Sequence, residues 1–95
     1  MNLEQVIRER LGALEPQRLD IVDESALHAG HAGARSGGRH YRMTVVAASF
    51  DGRNKVARHR MVYQALGPLM QRDIHALALE TLTPDEQAER SEGAV

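Results

Sequence analysis

Apolar and charged positions interleave with a helical period at the start of the chain. Leu3, Val6, Ile7, Leu11 and Leu14 fall on one side, with Glu4, Arg8, Glu9 and Arg10 between them. This spacing predicts an amphipathic helix, ended by Pro16. Leu19, Ile21 and Val22 predict a short strand closing near Asp23. The pattern then lapses: ESALHAGHAGARSGGR, from Glu24 to Arg39, is rich in glycine and alanine and predicts a long loop. In HYRMTVVAA, from His40 to Ala48, Tyr41, Met43, Val45 and Ala47 share one face, as in a strand covered on one side. Phe50-Asp51-Gly52 predicts a turn. Asn54 is placed to cap a helix through KVARHRMVYQALGPLM, with Val56, His59, Met61, Val62, Ala65, Leu66 and Leu69 as its apolar stripe. Gly67-Pro68 divides it into two pieces. Asp73 precedes a third strand, IHALALETL. Thr83-Pro84-Asp85-Glu86 reads as a last helix start, with a cap, proline in the first turn and acids behind it.

The expected fold is therefore α+β, in the order α-β-β-α-α-β plus a short C-terminal helix, with a three-stranded mixed sheet and the helices on one face. The first two strands pair antiparallel across the loop. The second and third, joined by a helical crossover, run parallel. One domain spans residues 1–95, with its core in about 3–88, the loop at about 24–39 and a frayed tail from 89 to 95. In this topology the end of the first strand and the starts of the other two share one edge of the sheet. His28, His31, His40 and His75 are thereby gathered at one end, while His59 sits apart on its helix as a partly buried structural residue.

Length allows a single modest core in 95 residues. The sequence has no cysteine, so it forms no disulfide and offers no thiolate as nucleophile or ligand. That suits a reducing, cytoplasmic setting. The N-terminus has no apolar run ahead of a cleavage site, and no stretch approaches the roughly 20 apolar residues of a membrane span. A net charge of −1 disfavours strong nonspecific binding to nucleic acid, and three aromatic residues, Tyr41, Phe50 and Tyr63, are too few for a base-stacking platform.

Imidazole is a common ligand for zinc, iron and copper, so the gathered histidines are the first candidates for chemistry. The second candidate is the basic helix start, where Arg53, Lys55, Arg58 and Arg60 oppose the helix dipole and could meet phosphate or an acidic partner. Gly30-His31-Ala32-Gly33 has the glycine spacing of a nucleic-acid clamp but lies between strands, not helices. Ser25, Ser36 and Ser49 lack a nucleophile context, and the acids form no evident pair. The expectation is a chain that is not an enzyme by itself.

Five segments occur in order: Asp23-Glu24-Ser25 with His28 following, Gly37-Gly38-Arg39-His40-Tyr41-Arg42, Phe50-Asp51-Gly52, Arg58-His59-Arg60-Met61-Val62-Tyr63, and Ile74-His75-Ala76-Leu77-Ala78-Leu79. Together they resemble the BolA family over about Val6 to Glu86. The resemblance implies a KH class II-like sheet without the KH glycine clamp. It implies a monothiol glutaredoxin as partner and a [2Fe–2S] cluster held between the two proteins. The glutaredoxin cysteine and a glutathione thiol would be two ligands, His75 a third, and His28 the fourth, with His31 as its rival. Two imidazoles on one iron would raise the reduction potential. A second role implied by the family is DNA binding and transcriptional control through Arg53 to Tyr63, ranked lower because of the net charge. Alone, the chain is expected to be a monomer or weak homodimer. It departs from the family pattern at Tyr41, where phenylalanine is commoner, at Ala26-Leu27, and in its longer glycine-rich loop.

Overall fold

The computed structural model describes residues 2–24 and 39–93. The elements are α1 (Leu3–Leu11), β1 (Arg18–Asp23), β2 (Arg39–Val46), α2 (Lys55–Leu66), α3 (Leu69–Arg72), β3 (Ile74–Leu82) and α4 (Pro84–Gly93). Short 3₁₀ turns at Gly12–Leu14 and Ala48–Phe50 follow α1 and β2. The sheet order is β1-β2-β3, with β1 antiparallel and β3 parallel to the central β2. The topology expected from the sequence is thus the one observed.

Local chemistry explains the element ends. The Asn54 side chain accepts from the Ala57 N–H at 2.9 Å, capping α2 as its sequence position implies. Gly67 ends that helix at φ +57°, where a side chain is strained, and an added Cβ would also lie 3.1 Å from the Arg10 guanidinium. Pro68 then opens α3. Thr83 and Glu86 form a reciprocal capping box at α4: the Glu86 N–H donates to Thr83 Oγ1 at 3.2 Å and the Thr83 N–H to Glu86 Oε1 at 2.8 Å.

One face of the sheet carries the core. Tyr41, Met43 and Val45 of β2 pair in register with Asp23, Ile21 and Leu19 of β1 and with Leu77, Leu79 and Thr81 of β3. Ile7 and Leu11 of α1, Val62 and Leu66 of α2, Leu69 of α3 and the fully buried Phe50 close over this face. The structure corrects two expectations. Val56 is 59 % exposed and takes no part in the core, because the inward stripe of α2 begins a turn later. The C-terminal helix does not fray at Glu89: it continues to Gly93, and Arg90 pairs with Glu80 of β3 at 2.6 Å.

Candidate functional site

The predicted convergence of strand ends is present. Arg39 stands opposite Ile74, and Asp23 opposite Tyr41, so β1 ends where β2 and β3 begin. The Glu24 N–H donates to the His40 carbonyl at 2.7 Å, and the Arg39 N–H to the Asp73 carbonyl at 3.3 Å. Of the four histidines expected here, His40 and His75 meet: their rings lie 5.3 Å apart between centroids, tilted by 53°. His28 and His31 lie outside the described residues.

A bulge makes this meeting possible. Arg39 pairs with Ile74, but the next residue, His40, pairs with Ala76, so His75 is one extra residue in β3. Strict alternation would send His75 and Ala76 to opposite faces. Instead Ile74 is buried, His75 and Ala76 are both exposed, and Leu77 turns inward again. Bulges often re-aim a side chain beside a functional site. Here the bulge delivers His75 to the open face, next to His40.

The carboxylates nearby are engaged by arginines. Arg39 Nη1 donates to Asp23 Oδ2 at 3.3 Å, and Arg42 Nε to Glu24 Oε2 at 3.2 Å. Tyr41 is buried beneath them. Burial, and secondarily the Asp23 charge, pushes its phenol above the usual value of 10.0, so it is a neutral part of the core wall. Among the described residues, no group of three or more His, Cys, Asp or Glu side chains is gathered to hold a metal ion.

The basic helix start divides in two. Arg53, Lys55 and Arg60 are exposed. Arg58, grouped with them on sequence, turns its guanidinium into the molecule. Its Nε donates to the Arg53 carbonyl at 2.7 Å, its Nη1 to Glu86 Oε1 at 2.6 Å, and its Nη2 to Glu86 Oε2 at 3.3 Å. Its side chain is only 13 % exposed. Arg58 therefore clips α2 to α4 and is not offered to a partner. Removing it should act on the fold: an Arg58→Ala chain is expected to melt several degrees lower, while Arg60→Ala melts with the native chain. Equal melting temperatures for the two variants would refute this division.

A groove of about 790 Å³ opens at this far end of β3, lined among others by Arg53, Lys55, His59, Glu86, Glu89 and Arg90. It is distant from the histidine pair along the strand and mixed in charge. His59 packs edge-on against Tyr63, 6.4 Å between centroids, and its buried Nε2 has no hydrogen-bond partner. Burial first, and Lys55 second, hold its imidazole below the ordinary 6.5. Glu86 is pulled from 4.5 to about 2, chiefly by its bond to Arg58 and then by the Thr83 amide.

Both shifts weaken the fold in acid, because in each case the unfolded chain binds a proton that the folded chain resists. The His59 contribution is present above pH 6.5 and is lost as pH falls from there to its depressed value. The Glu86 contribution is lost between pH 4.5 and about 2. Urea midpoints are expected to fall in both windows, and His59→Gln should flatten the upper one only. An unchanged slope just below pH 6.5 in that variant would remove His59 as a cause.

Sequence reasoning missed the bulge and the inward turn of Arg58. Thr83 was legible as the cap of the last helix, but neither the reciprocal bond from Glu86 nor its tie to Arg58 was.

The family model described as "BolA-like protein" matches residues 11–86. The "DNA-binding transcriptional regulator BolA" of Haemophilus influenzae is 36 % identical over 93 residues, covering 97 % of this chain and 87 % of that protein. The solved structure of BolA1 from Arabidopsis thaliana superposes with a TM-score of 0.77 at 39 % identity, covering 90 % of this chain and 96 % of that one. The BolA domain of SufE1 from the same plant gives 0.75 at 34 % identity, covering 90 % and 98 %.

Proposed function

The chain belongs to the BolA-like family, and from that premise we propose that it is an adaptor that docks a monothiol glutaredoxin and shares a glutathione-ligated [2Fe–2S] cluster with it. The observation that carries this reading is the placement of His75. It is exposed, delivered by a bulge to the open face, and stands at the end of the sheet where the histidine-bearing segment 24–39 joins β1 to β2.

The donor set fits the group. With no cysteine in the sequence, only imidazole and carboxylate can reach iron from this chain. Asp23 and Glu24 are engaged by Arg39 and Arg42, while His75 faces outward at this end. His75 would be one ligand and His28 the other, with His31 as the alternative. Bound there, the cluster would supply one-electron chemistry or serve as cargo. The chain's own work is to fix one imidazole on a rigid strand and to leave the remaining ligands to the partner. This role asks for no catalytic side chains, in keeping with an adaptor rather than an enzyme.

The test is reconstitution. The chain is mixed with a monothiol glutaredoxin, glutathione, iron and sulfide, and followed by gel filtration with visible absorption. A coloured complex that elutes larger than either protein, and that needs glutathione, is expected. Co-elution without colour, or no complex, would sink the cluster-sharing role.

Exposed Arg53 and Lys55 in the lining of the mixed groove, with exposed Arg60 on the same helix, favour one second reading, a DNA-binding regulator like the Haemophilus relative by name. Its affinity should then fall steeply with salt, and an Arg53→Ala, Arg60→Ala chain should bind more weakly than Lys55→Ala and with a shallower salt dependence.

A further inference from the structure

Two imidazoles bound to one tetrahedral ion, with metal–nitrogen bonds of roughly 2.0–2.1 Å, hold their ring centroids roughly 5 Å apart. His40 and His75 stand at 5.3 Å, from adjacent strands and on the same face. We propose that this pair is itself a binding site for a borderline divalent cation such as Zn²⁺, formed by this chain with no partner present.

Several features support the pair as a site. Both residues lie on paired strands, so little backbone ordering is needed to bring them together. The bulge supplies the juxtaposition, since an unbulged register would carry His75 and Ala76 to opposite faces. His75 is exposed to an arriving ion. The Nε2 atom of His40 is screened from water, so the ion enters with a turn of that ring about χ2, a broad two-fold torsion. Among the described residues no third metal-binding side chain joins the pair, and water would fill the other coordination positions. Such a two-ligand site is weak. Its nitrogen donors suit zinc, copper and nickel over magnesium or calcium.

The proposal rests on the adaptor reading only for its consequence: an ion on the pair occupies His75 and withholds it from a shared cluster. The site itself needs no glutaredoxin. The two ideas therefore fail separately.

The experiment is a Zn²⁺ titration of the isolated chain by calorimetry, with histidine ring nitrogens followed by NMR. The native chain should bind one ion, with ring shifts at His40 and His75. His40→Ala and His75→Ala should each weaken binding by about tenfold or more, while a His28→Ala, His31→Ala chain should bind as the native chain does. His40→Gln replaces His40→Ala if circular dichroism shows that the alanine variant is unfolded. Undiminished affinity in the His40 variant, ring shifts confined to other histidines, loss of binding in the His28, His31 variant, or no measurable binding at all would each overturn the proposal.

Discussion

A His75→Ala chain, mixed with glutaredoxin, glutathione, iron and sulfide, is expected to lose the visible circular dichroism given by the native chain. His75 is exposed, so its truncation removes a donor without opening a cavity, and the fold should keep its stability within about 0.5 kcal/mol. No cysteine is present to take its place. Among the described residues His40 is the nearest imidazole, but it belongs to β2 and lies on the strand adjoining the bulge. A substitute ligand from that position would change the dichroism even if some colour remained. Far-ultraviolet dichroism of the variant provides the control for folding. A spectrum identical to that of the native complex would exclude His75 from the cluster while leaving the docking of the two proteins open to gel filtration.

The largest loss of stability should come from Phe50→Ala. Phe50 is the sole phenylalanine of the chain and is fully buried, at the end of the 3₁₀ turn between β2 and α2. It packs among Ile7, Leu11, Met43, Val45, Val62 and Leu66, all essentially inaccessible. Replacing a buried phenylalanine by alanine costs about 3–5 kcal/mol in transfer and cavity terms. A domain of this size has only about 5–15 kcal/mol in hand. The urea midpoint should fall by a large fraction, with an unchanged slope if the unfolded state is unaffected. A midpoint within about 1 kcal/mol of native would mean that the surrounding aliphatic side chains collapse into the vacancy.

These two residues show how differently sequence speaks about core and site. Tyr41, Met43, Val45 and Ala47 alternate, and alternation is a local geometric consequence of the strand, so the buried face was readable before any tertiary contact was known. The caps at Asn54 and Thr83 and the break at Gly67-Pro68 were readable for the same reason: each satisfies or interrupts backbone bonding within a few residues. Val56 was misassigned because helical spacing alone does not say how far along a helix the core extends.

The sequence by itself determined the element order, the antiparallel and parallel pairings, and the placing of His40 and His75 at one end of the sheet. The absence of cysteine also rules out thiolate as a ligand from this sequence. The tertiary structure decided that His40 and His75 touch, and that Arg53, Lys55 and Arg60 are exposed while Arg58 is not. The extra residue in β3 depends on the register between strands separated in sequence, and no local pattern encodes it. Arg58 reads like Arg60 in the sequence, yet it turns inward because Glu86, nearly thirty residues later, arrives within 2.6 Å. Contacts across that separation are set by how the elements pack, and they decide whether a charged side chain holds the fold together or faces a partner.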